Sequence, residues 1–401
     1  MRQSKLALLI GLACAPAMAF GAVAGSKVDN FMLADQSGMG HELYYYSGKS
    51  AIVLVSCAAG DSVSNKAAAA LKSVRENFKD KNVLFLMIDS SLKSKRDQFV
   101  GVPGSADLPV LADELQLIGR SLGVTTTAEA FVIDPKNWTV AYHGPIDDSF
   151  AQSKTKNANL PAALNAVLAG NAAPVVEAKV KGTAVDFPDR KQQAAFAKID
   201  YATQVAPIFA DKCVVCHTQG GMGPFAMNSY DVIKGFSPMI REVLRTKRMP
   251  PYHSDNHGST WTDDMRPNNE QIKTIVNWIE AGSPRGAGKD PLPEAAKPAP
   301  KWPMGEPDLV VQVPAYDVPA TGIVDYQDRS VATNLTEGKW LKATAWANAT
   351  PAVHHALAGW IPKVNENGRG FSWNVALGGY GPGGAPNLTP DSTGIYLPPG
   401  G

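Results

Sequence analysis

Five consecutive residues, Cys213-Val214-Val215-Cys216-His217, carry the clearest chemistry in the sequence. On one helical turn, cysteines three apart face the same way, so their thiols can add to both vinyl groups of one haem. The histidine directly after them is placed to bind the iron. Cys-x-x-Cys-His is the spacing of c-type haem attachment. A zinc site is the rival, because His253 and His257 stand at ligand spacing and could close a tetrahedron with Cys213 and Cys216. However, 36 residues separate Cys216 from His253, against about 12–15 in the usual zinc finger. The spacing favours haem.

A second metal-competent pair is His354-His355. Imidazole nitrogen suits a transition metal. Adjacent residues on a regular strand point to opposite faces, so sharing one metal requires irregular backbone. Without it, one ring is core and the other solvated.

The elements that must position these residues lie in a chain of 401 residues, 44% hydrophobic and 19% charged. That composition is globular, with room for two or three domains. Arg2 and Lys5, an apolar run from Leu6 to Ala15, and Ala17-Met18-Ala19 form a secretory signal over residues 1–19. Cleavage is expected before Phe20, with a second option after Ala24. The protein is therefore expected to be periplasmic or secreted, the setting in which haem is attached covalently. Losing Arg2 and Lys5 takes 38 basic residues to 36, against 37 acidic. A near-neutral chain argues against nucleic acid or an anionic membrane as partner. No later apolar run is long enough to span a bilayer. Of four cysteines, Cys14 leaves with the signal and Cys213 and Cys216 hold haem. Cys57 is then unmatched, so no structural disulfide is expected.

Proline-rich stretches divide the rest into a multidomain chain: 26–170, a linker over 171–195, 196–286, a second linker over 287–307, and 308–401. The second linker reads as extended and semi-rigid. In the first segment, Ala51-Ile52-Val53-Leu54-Val55 and Val83-Leu84-Phe85-Leu86-Met87-Ile88 read as buried strands around a helix from Asn65 to Lys79. Phe131-Val132-Ile133-Asp134 adds a strand, giving an α/β layout. Leu108-Pro109-Val110-Leu111-Ala112-Asp113, Leu122-Gly123-Val124, Glu129 to Asp134 and Ile146-Asp147-Asp148 resemble the thioredoxin-like redoxins, relatives of the peroxiredoxins. By that resemblance the reactive cysteine falls on Asp61, and the family's cis-proline on Ala128. Asp61 can cap a helix but cannot supply a thiolate. Cys57 reads as a core residue, so the domain is expected to be catalytically retired.

In the second segment Val205, Ile208 and Phe209 share a face before the cysteines. Asn268 and Gln271 form a capping box for a helix striped by Ile272, Ile275, Val276 and Ile279, ending at Gly282 and Pro284. Two helices bracketing Cys-x-x-Cys-His resemble an all-α class I cytochrome c. That resemblance implies a methionine as second iron ligand, among Met222, Met227, Met239, Met249 and Met265. Arg248-Met249-Pro250-Pro251-Tyr252 matches the family's methionine-proline pattern, which favours Met249, with His253 as rival.

In the third segment, Leu309-Val310-Val311-Gln312-Val313 and the stretch from Lys339 to Trp346 read as strands of an all-β sandwich. Pro351-Ala352-Val353-His354-His355-Ala356-Leu357 resembles the first copper site of the type II copper, ascorbate-dependent monooxygenases, including peptidylglycine hydroxylating monooxygenase. The family needs a third histidine and a second copper site, and no histidine follows His355. The sandwich is thus expected to be incomplete, either truncated or never two-copper. The leading expectation is a c-type cytochrome with one covalent haem, passing single electrons between redox partner proteins. One alternative is a copper-dependent monooxygenase, an oxidoreductase with the haem segment as built-in reductant. The other is a docking or assembly module built on the inactive redoxin domain.

Overall fold

The most apolar run of the first segment is the central strand of a mixed sheet. The protein is described by a computed structural model over residues 24–99, 108–152, 159–173, 179–251, 261–262, 264–298, 301–302, 304–348, 352–362, 375–381 and 386–401. The signal segment 1–19 and both His253 and His257 lie outside these residues. The strands of the first half are β1 (Met32–Ala34), β2 (Gly40–Glu42), β3 (Ala51–Cys57), β4 (Val83–Asp89), β5 (Val110–Ala112), β6 (Glu129–Asp134) and β7 (Thr139–Pro145). The helices are α1 (Ser62–Asn77), α2 (Leu117–Leu122), α3 (Leu160–Leu168), α4 (Pro188–Lys191) and α5 (Gln193–Phe196). Further along come α6 (Ala206–Lys212), α7 (Tyr230–Gly235), α8 (Ser237–Arg245), α9 (Asn269–Glu280) and α10 (Leu292–Ala295).

Two compact units form, and they do not follow the three segments in series. One comprises the described residues of Met1–Ile199 with Ser237–Ser283; the other comprises Asp200–Phe236 with Pro284–Gly401. In the first, the sheet order is β5-β4-β3-β6-β7, with β3, β4 and β5 parallel and β6 and β7 antiparallel. All seven residues of β3 are buried, as a strand covered on both faces requires. Val53, Val55, Phe85 and Val132 share one face with Leu71 of α1 and Leu164 of α3. Alternate residues, such as Ile52 and Leu54, point to the other. This is the α/β layout expected of residues 26–170.

Helices α8 and α9 belong to this first unit because buried charges tie them to it. Arg120 of α2 is 4% exposed and reaches Asp189 at 3.2 Å, Asn277 at 2.7 Å and Glu280 at 2.8 Å. Its guanidinium also lies over the Phe196 ring. Arg241 pairs with Asp29 at 2.6 Å and Glu280 at 3.1 Å. The capping box of α9 is present in both directions, Gln271 N–H to Asn268 Oδ1 and Asn268 N–H to Gln271 Oε1. Of the expected stripe of α9, Ile275 and Val276 are buried and Ile272 and Ile279 half-buried, with Asn277 and Trp278 buried beside them.

The stretch 171–195 is not a free linker among its described residues. Residues 179–185 pair with the first unit through the bridges Ala151 to Val180 and Thr126 to Ala184. Phe187 is buried, and Arg190 donates to the Val124 carbonyl at 2.6 Å.

The second unit opens on a wide helical turn, Tyr201–Val205, capped by Asp200 and running into α6. Val205, Ile208 and Phe209 are buried there, as expected. The stretch 287–307 departs from the extended linker expected of it. Asp290 accepts from the Tyr230 N–H at 2.6 Å, the Tyr201 hydroxyl at 3.1 Å and the Leu292 N–H at 3.0 Å. Those bonds nucleate α10, whose Leu292 is fully buried. Beyond it are β8 (Lys339–Leu341), β9 (Ala343–Thr344), β10 (Ala356–Trp360), β11 (Val375–Tyr380), β12 (Asn387–Leu388) and β13 (Ile395–Leu397). Among the described residues they make three separate antiparallel ladders, β10-β11, β9-β12 and β8-β13, instead of a sandwich. Leu309 to Val313 form no strand and stand exposed. Their pattern had the right period, but two-stranded ladders offer no broad face to cover.

Candidate functional site

The motif sits in the turn that ends α6. Phe209 accepts the Cys213 and Val214 amides at 3.0 and 2.9 Å, and Cys213 accepts those of Cys216 and His217 at 3.1 and 3.0 Å. These bonds hold Cys213, Cys216 and His217 on one turn. Val214 is buried and Val215 exposed, so the turn has a protein side and an open side. Both thiols are free and half-buried. Burial pushes the Cys213 thiol up to about 12, helped by Cys216 and Asp211, and raises Cys216 too. Both are therefore protonated near neutral pH, in surroundings that do not favour a preformed thiolate clip.

His217 is the most constrained member. It is buried, and its Nδ1 lies 3.0 Å from the Phe225 carbonyl oxygen. A carbonyl only accepts, so in the neutral ring Nδ1 carries the proton and Nε2 has the lone pair that a ligand bond needs. The ring rests against Gly223, where an added Cβ would lie 2.5 Å from Nδ1. The Phe225 ring lies against the imidazole at 4.9 Å and itself stacks on Phe236 at 3.8 Å. The Met227 amide donates to the His217 carbonyl at 2.7 Å. Phe225 and Gly223 were not singled out in the sequence. The run Gly220-Gly221-Met222-Gly223 is the signal that marks such a close approach.

The methionines are scattered. Met222 accepts from the Tyr380 hydroxyl at 3.3 Å, and Met227 is buried. Met239 and Met249 are exposed, and Met249 belongs to the first unit, in the turn after α8. His354 and His355 precede β10 on irregular backbone, both exposed, with their Nδ1 atoms 2.8 Å apart. Among the described residues no group of three His, Cys, Asp or Glu side chains could hold a metal ion.

In the first unit, Cys57 is 1% exposed at the end of β3. Burial, then the charges of Asp89 and Asp61, raise its thiol well above the ordinary value. It packs as a core residue and presents no nucleophile. Asp61 caps α1 by accepting from the Ser64 amide at 2.8 Å, and also binds the Thr127 and Thr183 hydroxyls. Ala128 is buried with φ +64°, its amide bonded to the Ser56 carbonyl at 2.7 Å.

Residues 24–143 match the family model described as the AhpC/TSA family. That stretch is a redoxin, thioredoxin-like domain with a mixed sheet. Among solved structures the chain is similar to an uncharacterised conserved protein from Geobacillus kaustophilus, at 19% identity over 41% of this chain and 93% of that one, TM-score 0.35. It is also similar to the peroxidoxin BcpB from Mycobacterium tuberculosis, at 21% identity over 37% and 94%, TM-score 0.29. A third is the thioredoxin domain of a thiol-disulfide oxidoreductase from Bacteroides vulgatus, at 17% identity over 30% and 87%, TM-score 0.27. No curated protein matches the chain. No helix among the described residues is long and apolar enough to cross a membrane.

Proposed function

We propose that this is an exported c-type cytochrome fused to a retired redoxin, passing single electrons between redox partner proteins. One observation carries the reading. His217 follows two free thiols on one turn and is held by the Phe225 carbonyl with Nε2 left as the donor. Histidine ligands are characteristically fixed in this way by a carbonyl on the far nitrogen. Cys213 and Cys216 would hold haem covalently and His217 would bind its iron. When bound, haem supplies a one-electron couple whose potential follows its axial ligands and burial. The chain's part is to orient the imidazole, exclude water from its buried flank and keep the Nδ1 proton in place. Met249 is proposed as second ligand from its methionine-proline context.

The test is a spectrum of protein exported with haem maturation. A c-type spectrum that survives acid-acetone extraction, and is lost in Cys213→Ala, supports the reading. A weak long-wavelength band in the oxidised protein, absent from Met249→Leu, supports Met249. No haem and one zinc per chain would overturn it.

One observation favours copper at the histidine pair. The Nδ1 atoms of His354 and His355 lie 2.8 Å apart on exposed, irregular backbone, and imidazole nitrogen suits copper, so this pair would hold the ion. The ordinary alternative is a ring-to-ring hydrogen bond. Copper near one equivalent, lost in His354→Ala with the haem spectrum unchanged, would support a copper oxidoreductase. A copper content unaffected by that substitution would exclude the pair.

A further inference from the structure

The redoxin unit carries a backbone edge that its own chain covers. Residues 125–127 precede β6. The Thr127 amide donates to the Thr183 carbonyl at 2.8 Å, and the Val185 amide donates to the Thr125 carbonyl at 2.9 Å. The Thr183 amide adds a bond to the Thr127 hydroxyl at 3.0 Å. At its other end, residues 179–181 pair with Phe150 and Gln152. This is strand addition carried out within one chain.

Two features fit the segment to this place. Gly182 crosses so close that an added Cβ would lie 2.0 Å from the Thr127 carbonyl oxygen. Thr183 donates its hydroxyl to Asp61 Oδ1 at 2.6 Å, while Thr127 donates to Oδ2 at 3.0 Å. One carboxylate thus grips both the edge and its cover. Burial pushes the Asp61 carboxyl up, but the bonds from Thr183, Ser64 and Thr127 outweigh it and keep the group charged.

The cover is weakly rooted in the core. Of residues 179–185 only Val180 is buried, whereas Lys179, Lys181, Thr183 and Ala184 are exposed. Its attachment is mainly backbone bonds and one side-chain clamp, the kind of element that opens well below the global stability. By contrast Ser56 and Ala128, directly behind the edge, are fully enclosed.

We propose that residues 179–185 are a releasable self-ligand, which seats itself on residues 125–127 and Asp61 in place of an extended peptide from a partner protein. The segment states what the edge accepts: a small residue against the Thr127 carbonyl, then a hydroxyl donor for Asp61, in extended backbone. A Gly-Thr or Gly-Ser peptide has that chemistry. The aspartate at this position is then a clamp, and the redoxin binds without thiol chemistry.

The experiment uses the full chain and two independent levers. Thr183→Val removes the donor to Asp61; Gly182→Ala drives the segment off Thr127 without touching Asp61. Native-state hydrogen exchange reads the Thr127 and Val185 amides, with Leu54 and Val55 of β3 as reference. The expected result is at least tenfold faster exchange of the first pair in either variant, with the β3 amides unchanged. A dye-labelled synthetic peptide, Lys-Val-Lys-Gly-Thr-Ala-Val amide, should then bind the variants at least tenfold more tightly than the wild type. Exchange of Thr127 and Val185 only together with β3, or equal peptide binding by all three proteins, would overturn the proposal.

Discussion

Gly223→Ala tests whether the imidazole of His217 is held as tightly as its surroundings imply. The new methyl carbon would lie 2.5 Å from Nδ1, 2.7 Å from Cγ and 2.9 Å from Cε1. Ordinary contact begins at about 3.4 Å, so the ring must retreat by roughly 1 Å or the loop must open. The same ring is crowded by Phe225, which is itself stacked on Phe236. A shift of that size also breaks the 3.0 Å bond to the Phe225 carbonyl. Overpacking costs about 1–3 kcal/mol and the hydrogen bond about 1 kcal/mol. Together these make about 2–4 kcal/mol, or roughly 30- to 700-fold less protection of the His217 and Gly223 amides against hydrogen exchange. Covalent haem yield should fall in parallel. Gly235→Ala is the control, because its added Cβ meets nothing within 4 Å. Wild-type protection and haem yield in Gly223→Ala would refute the argument, showing that the ring has room the packing denies it.

Three further outcomes are expected. Arg120→Met should destabilise the chain by about 3 kcal/mol in urea unfolding, since it removes the buried cation that joins Asp189, Asn277 and Glu280 and leaves the two acids only Lys273 and Arg241; a loss below about 1 kcal/mol would mean the cluster is not what holds α9. Leu292→Ala empties a fully buried site on α10 and should cost about 2–4 kcal/mol, measured by hydrogen exchange at the Ala296 amide. Burial pushes the Asp89 carboxyl up to about 6, against bonds from Ser94, Ser91 and Ala59. Its folded form holds a proton the unfolded chain has already lost, so its contribution is full below about pH 4 and disappears as pH rises through 6. Asp89→Asn should remove that slope, worth up to about 3 kcal/mol across the window, in stability measured from pH 4 to 7.

The sequence spoke clearly where one local pattern decides the outcome. The run Ala51 to Val55 fitted a buried strand, Asn268 and Gln271 stood at capping spacing, and Cys57 lacked a context that would lower its thiol. Asp61 could be read as a cap, but not as the anchor of Thr183, because the two are 122 positions apart. Distance in sequence also hid Asp290, which turns part of a proline-rich stretch into packed helix. The grouping of α8 and α9 with the redoxin follows from Arg120 and Arg241 finding acidic partners far along the chain. Leu309 to Val313 failed in the opposite sense, since alternation supplies a preference for strand but no neighbour to pair with.

That unpaired stretch has a consequence for anyone who handles the protein. Leu309, Val310, Val311 and Val313 are 42–54% exposed, in five uncharged residues of high β-propensity. Such a segment can stack with its counterparts on other molecules into cross-β ribbons. Asp308 and Pro314 bound it on either side, a charge and a broken donor in the positions where gatekeeping residues slow that process. Replacing either flanking residue by an apolar one would lengthen the uncharged run, and the expected result is faster fibre formation, read by dye binding at high concentration.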